Sequence, residues 1–325
     1  MKPKILVTRA IFPEVIARLS EHFEVEHNQD DHVYGPTELI DRLQGKEGLF
    51  ANPADRISVE LLAACPTLKA VSNVAVGYNN IDVPAASAAG VMVTNTPDVL
   101  NETTADFAWA LLMAAARRVT ESEHFLRAGK WGRMTYDGFL GADIAGTTLG
   151  IIGMGRIGQA IARRSMGFNM NVLYHNRSRL SPELEAHANH AQYVSREELL
   201  RTADHVVLVL PYSAAVHHII GAAELALMKP SAILVNIARG GIVDDAALIA
   251  ALQQGKIAAA GLDVYENEPA FNPGFLSLSN VVLTPHIGSA TEKTRRAMAN
   301  CAATNLIAAL SGQTPPNLLN PSVAR

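Results

Sequence analysis

Cysteine is almost absent from this chain. Cys65 and Cys301 are the only two in 325 residues, too few for a disulfide framework or a zinc knuckle. The expected setting is therefore a reducing compartment. Charge is scarce as well: 18% of residues are charged and 49% are hydrophobic, against ~25% charged in an ordinary soluble domain. That balance excludes a disordered chain, which needs few apolar residues and many charges. Neither sign dominates. The net charge is -4, no run of like charge forms a tail, and nothing points to a polyanion such as DNA. Long apolar runs are missing too. The longest is Phe107 to Ala116, closed by Asp106 and Arg117, and a membrane span needs ~20 such residues. The opening stretch, Met1 to Arg9, holds too short an apolar run for a signal peptide, so the expected location is the cytoplasm. At 325 residues there is room for about two domains of ~150 each, both large enough to bury a core.

Short β-rich runs alternate with helical stretches along the whole chain. Strands are expected at Lys4–Thr8, Gly48–Ala51, Leu68–Ser72 and Gly90–Thr94, with a helix over Pro13–Phe23. Asp82 caps a further helix that has Pro84 in its first turn. Glu102 to Ala128 reads as one long helix stopped by Gly129. A second series follows, with strands at Thr148–Ile152, Asn171–Tyr174, His205–Leu210, Ala232–Asn236, Ala258–Leu262 and Asn280–Thr284. Ser195 and Glu198 form a capping box, and Thr291–Leu310 is the last helix. The alternation predicts an α/β fold with parallel sheets covered by helices. No repeat or low-complexity segment interrupts it.

Gly153-Met-Gly155-Arg-Ile-Gly158 follows a strand and opens a helix, which is the context a dinucleotide-binding glycine motif requires. Gly153 permits the tight turn, Gly155 lets backbone approach a pyrophosphate, and Gly158 lets helix and strand pack closely. The helix start offers unpaired N–H groups to the phosphates. The plainer reading is an ordinary glycine-rich turn, which the context disfavours. The next strand ends in Tyr174-His-Asn-Arg-Ser178, with no carboxylate for a ribose 2′-hydroxyl. Arg177 could bind a 2′-phosphate through its fork, and Asn176 and Ser178 add donors. The expectation is NADPH ahead of NADH. Otherwise Arg177 is a solvated loop residue.

Three later strand ends carry polar residues that apolar strands do not need: Asn236 to Asp244, Gly261 to Pro269 and Leu283 to Ser289. In open α/β sheets ligands bind beyond the carboxyl ends of strands, so these segments can converge beside a cofactor. A ketone that receives a hydride leaves negative charge on oxygen. A histidine can protonate it, a carboxylate beside that histidine fixes its ring and favours the imidazolium, and an arginine can hold a substrate carboxylate and polarise the carbonyl. Arg239, Glu268 and His286 supply these types. Singly each has a bland reading: an ion-pair arginine, a loop charge, one of 11 histidines. Together they suggest a reductase of a small polar carbonyl compound.

These residues carry a resemblance. Val76-Gly77, Asn95-Thr-Pro97, the glycine motif, Asn236-Ile-Ala-Arg-Gly240, Asp263 to Pro269 and Pro285-His-Ile-Gly-Ser-Ala-Thr291 make nearly the whole chain resemble the D-isomer-specific 2-hydroxyacid dehydrogenases. Within them it is most similar to the glyoxylate/hydroxypyruvate reductases, in the branch that also takes 2-ketogluconate. The resemblance implies two doubly wound parallel-sheet domains, Rossmann- or flavodoxin-like, with the active site in the cleft between them. Residues 1–99 plus 288–325 would bind substrate and residues 100–287 would bind the dinucleotide, with domain closure excluding water. Arg239, Glu268 and His286 would be catalytic. Val76, Gly77, Arg239, His286, Ser289 and Arg295 would contact substrate. Thr104, Gly153, Gly155, Arg156, Ile157, Gly158, Asn176, Arg177, Ser178, Leu210, Pro211, Ala238, Asp263, His286 and Gly288 would bind the cofactor, NADPH first and NADH second. A homodimer is implied, through the apolar helix around Trp109–Ala116 and the segment Trp131–Gly141.

Some eukaryotic hydroxypyruvate reductases set a partner tryptophan over the substrate, where an ungapped match puts Gly138. Tyr212 stands where leucine is common. Two other readings stay open: a relative acting on phosphoglycerate, formate or phosphonate, or a non-catalytic module sensing nicotinamide redox state. Trp109 is expected in a core or dimer interface. The pair His217-His218 is not expected to hold a metal, because adjacent side chains on a strand or helix point to different sides and no spaced ligand set accompanies them.

Overall fold

The computed structural model describes residues 2–323. It divides into two compact units. One takes in the chain up to Leu100 and again from Ala290; the other is Asn101–Ser289.

The first unit is built on five strands: β1 (Lys4–Val7), β2 (Glu24–His27), β3 (Gly48–Ala51), β4 (Ala70–Asn73) and β5 (Met92–Thr94). Their spatial order is β2-β1-β3-β4-β5, and every pairing is parallel. This is the flavodoxin-like order of a doubly wound sheet. The helix Glu292–Leu310 returns to this unit and packs on β3 and β4. It lies so close that a Cβ on Gly48 would come within 2.7 Å of Leu310 and 2.9 Å of Ile5. Thr291 caps this helix, its hydroxyl accepting from Thr294 N. Strand β2 was not expected. Its sequence, Glu-Val-Glu-His, is half polar and it sits at the sheet edge, where one face and one ladder stay wet and no apolar run is required.

The second unit carries β6 (Thr148–Ile152), β7 (Asn171–His175), β8 (Gln192–Tyr193), β9 (His205–Leu208), β10 (Ile233–Asn236), β11 (Ala259–Leu262) and β12 (Val281–Leu283). Their order is β12-β11-β10-β9-β6-β7-β8, again parallel throughout. Successive strand residues face opposite sides. Leu149, Ile151, Val172, Tyr174 and Val207 enter one core cluster, while Ile152, Leu173, Val206 and Leu208 enter another. A sheet covered on both faces needs continuous apolar strands, which is why these were legible. Chain order reverses at β6, whose neighbours are β7 and β9.

The single helix expected over Glu102–Ala128 is two, Asn101–Ala116 and Val119–Arg127. Arg118 breaks them with a left-handed φ of 53°. The guanidinium of Arg118 pairs with Glu121 at 2.7 Å, and Ala142 N donates to Ala116 O at 2.8 Å. The returning chain at Ala142 thus caps the first helix without a glycine or proline to announce it. Gly129, with φ 68°, ends the second. Trp109 lies in the unit's core, stacked on Phe168 at 4.8 Å and donating to Ile161 O. Leu111, Leu112, Ala115 and Ala116 of the same helix are buried with it, while Ala110 and Met113 are exposed. No helix among the described residues is long and apolar enough to cross a membrane.

Candidate active site

Three adjacent strands of the second unit, β10, β11 and β12, end in the loops that carry Arg239, Glu268 and His286. The Asn236 side chain shapes the first loop: Oδ1 accepts from Ala238 N at 3.1 Å and Nδ2 donates to Arg239 O at 3.3 Å. This loop presses on the second. A Cβ on Gly240 would fall 1.7 Å from Tyr265 O, so only glycine fits.

Glu268 is held from both sides. Oε1 accepts from Tyr265 N at 2.8 Å and Oε2 lies 2.8 Å from His286 Nδ1. An ionised carboxylate only accepts, so Nδ1 is the donor and Nε2 is the nitrogen left for other chemistry. His286 has a left-handed φ of 54°, and its side chain keeps 42% of its surface in solvent. A reactant can reach the ring. Burial lowers the pKa of Arg239, while the negative charge of Glu268 opposes that shift. Arg239 Nη1 donates to Ala238 O at 2.7 Å. The three expected groups are therefore one electrostatically linked set.

Asp263, 2% exposed, ties the third loop down. Oδ1 accepts from Ile287 N (2.8 Å) and Thr284 Oγ1 (2.7 Å), and Oδ2 from Gly288 N (2.8 Å). Burial pushes its carboxyl pKa up against these bonds. Gly288 packs closely here: a Cβ would meet Asp263 Oδ2 at 3.1 Å, with Thr104 next at 3.7 Å. Thr284 and Tyr265 were not singled out from the sequence. Thr284 N donates to the Tyr265 hydroxyl at 2.9 Å, and that hydroxyl reaches Leu262 O at 2.9 Å. Their signal was only proximity to Asp263 and His286 in the quoted segments.

At the reversal point of the sheet, Gly153 leaves β6 with φ 105°, and a Cβ there would strike Val209 O at 2.6 Å and Leu210 N at 2.9 Å. Gly155 starts the helix Arg156–Arg164 with no side-chain cap and has no atom within 4 Å of a Cβ position. Gly158 packs on Gly153 O. A helix start without a cap, beside open space and behind a tight turn, fits a dinucleotide pyrophosphate. Ile157 is half-buried, Ala238 buried and Pro211 exposed.

Asn176 Oδ1 accepts from Met154 N at 2.8 Å, bracing the glycine turn from the end of β7. Arg177 and Ser178 are exposed. The neighbouring Arg179 is committed to Glu185 at 2.8 Å, and this pair, with the Tyr174 hydroxyl, holds the Glu185 carboxyl down at about 2. Arg177 has no hydrogen bond or ion pair among the described residues.

In the first unit, the turn after β4 holds Val76 and Gly77. Asn95 Nδ2 donates to Val76 O at 2.8 Å and Asn73 Nδ2 to Gly77 O at 2.9 Å. With both carbonyls tied, the Val76 and Gly77 N–H groups donate to nothing among the described residues. Arg295 lies on the helix Glu292–Leu310 of this unit, while Ser289 ends the second unit.

Contrary to the expectation for adjacent residues, the His217 and His218 rings lie together. Their rings stack with centroids 3.9 Å apart, because His218 takes a left-handed φ of 51° and the pair is not in a strand or regular helix.

Residues 109–288 match the family model described as "D-isomer specific 2-hydroxyacid dehydrogenase, NAD binding domain". A glyoxylate reductase of Thermococcus onnurineus is 49% identical over 99% of this chain and 97% of its own. Among solved structures, a glyoxylate reductase from Paecilomyes thermophila superposes with a TM-score of 0.88 at 36% identity, covering 98% of each chain. An NADPH-dependent glyoxylate/hydroxypyruvate reductase from Sinorhizobium meliloti, bound to NADP and malonate, gives 0.89 at 35%, covering 100% of this chain and 99% of that one. The parallel sheets, the glycine turn and these matches agree: the chain belongs to the D-isomer-specific 2-hydroxyacid dehydrogenases.

Proposed function

We propose that the protein reduces small 2-keto acids to D-2-hydroxy acids, with glyoxylate and hydroxypyruvate as substrates and 2-ketogluconate as the larger candidate. The observation that carries this reading is the Glu268–His286 contact of 2.8 Å beside Arg239. A nicotinamide bound at the glycine turn supplies the hydride that C2 of the keto acid receives. Arg239 holds the substrate carboxylate and polarises the carbonyl. His286 Nε2 gives its proton to the carbonyl oxygen, and Glu268 keeps the ring aimed by accepting from Nδ1. Val76 and Gly77 offer their N–H groups to the carboxylate, and Ser289 and Arg295 favour small hydroxylated acids. Asp263 would be the residue that holds the nicotinamide carboxamide. In this reading Asn101–Ser289 is the cofactor domain and the other unit the substrate domain. No metal takes part. The enzyme works in the cytoplasm. Assay of glyoxylate, hydroxypyruvate and 2-ketogluconate side by side tests the substrate range.

NADPH is the preferred cofactor. The uncommitted Arg177, with Asn176 and Ser178, stands where an NAD site would hold a carboxylate. Arg177→Ala is expected to raise KM for NADPH by about tenfold, the worth of one charge-assisted contact, and to leave KM for NADH nearly unchanged. Equal losses with both cofactors would contradict this role.

The protein is proposed to be a homodimer. Trp131, Met134, Tyr136 and Leu140 are 65%, 79%, 98% and 66% exposed in the single chain, more apolar surface in one stretch than a soluble monomer normally leaves wet. Light scattering is expected to return twice the chain mass, and Trp131→Glu with Met134→Glu to shift it toward the monomer. A monomeric wild type would overturn the assignment.

A further inference from the structure

We propose that His217, His218 and Glu266 form a binding site for a divalent transition-metal ion of the zinc class. One ring nitrogen of each histidine and a carboxylate oxygen of Glu266 all lie within 4.8 Å of one another. Ligand atoms about 2.0–2.2 Å from a tetrahedral zinc stand about 3–4 Å apart, so small side-chain rotations close the set. Two imidazoles and one carboxylate select zinc, cobalt, nickel or copper over calcium and magnesium, which want oxygen alone.

The surroundings are those of a built site. His218 Nε2 is hydrogen-bonded to Glu266 Oε1, while Nδ1, on the other side of the ring, faces Asp244 Oδ2 at 3.8 Å. At that distance no hydrogen bond is made, but a small rotation would let Asp244 accept the second N–H, as carboxylates behind metal-binding histidines do. The Tyr212 hydroxyl lies 3.1 Å from His217 Nδ1 and orients that ring likewise. The backbone is held as well: His218 N donates to Gly241 O at 2.7 Å and Glu266 N to Asp245 Oδ2 at 3.2 Å. His217 is exposed, and His218 and Glu266 are half-buried. An ion has a path in, and water can take the fourth position. The ion would replace the proton shared by His218 and Glu266. A plain histidine–glutamate ion pair accounts for those two residues but gives the stacked His217 ring no part, so His217 separates the two readings.

The test is titration of the whole protein with cobalt(II) alone, read by its visible absorption, followed by displacement with zinc. The expected result is one cobalt per chain with a tetrahedral-type spectrum, lost when zinc is added. His217→Ala removes an exposed side chain and leaves the fold intact by circular dichroism. It is expected to weaken binding by about tenfold or more, the loss typical even of residues that only support a ligand. Glu266→Gln is expected to do the same. Absence of the cobalt spectrum, or binding that His217→Ala leaves unchanged, would overturn the site.

Discussion

His286→Ala is expected to lower kcat for glyoxylate by about 10²–10⁴-fold, the usual share of a positioned acid. Nicotinamide binding, followed by fluorescence quenching, should stay close to wild type. The ring is 42% exposed, so its loss leaves no core cavity, and thermal melting should change little. The bond to Glu268 adds a second reading of the same experiment. In the proposed mechanism Glu268 acts through His286, so the losses from Glu268→Ala and His286→Ala should not add in the double variant. A kcat near normal in His286→Ala would remove His286 from the chemistry. Additive losses would mean that Glu268 works independently.

Arg239→Lys is the second large effect. It keeps the charge and removes the planar fork. The expected result is a fall of about 10²–10³-fold in kcat/KM for glyoxylate, the size of a lost oxyanion donor. The loss should appear in both constants, because the carboxylate contact exists in ground and transition states alike while polarisation of the carbonyl grows toward the transition state. Arg239→Ala should be worse, since it also withdraws the positive charge that faces Glu268. An unchanged kcat/KM in Arg239→Lys would show that no bidentate contact to substrate is made there.

How far the sequence alone could go is clearest in the second unit. Its strands are apolar throughout because helices cover both faces, and its glycines at 153 and 158 answer to close contacts with Val209 O and Gly153 O. Such positions leave a chemical trace in the sequence. The pairing of Glu268 with His286 was legible for the same reason, as polar residues at strand ends where strands do not need them. Other features depend on tertiary context and leave no local trace. Strand β2 is a wet edge with two glutamates. The end of the first helix at Ala116 is capped by the returning chain at Ala142. The stacking of His218 on His217 goes with a left-handed φ that nothing in Val-His-His-Ile announces. Thr284 supports Asp263 and meets the Tyr265 hydroxyl by hydrogen bonds whose partners are far apart in sequence.

The central claim is that this enzyme reduces small 2-keto acids with NADPH ahead of NADH. Initial rates of NADPH and NADH oxidation, measured in parallel on glyoxylate and hydroxypyruvate, test it most directly. The account predicts fast turnover of both acids, D-glycerate as the product from hydroxypyruvate, and a higher kcat/KM with NADPH. Binding of NADPH without oxidation by either acid would contradict it.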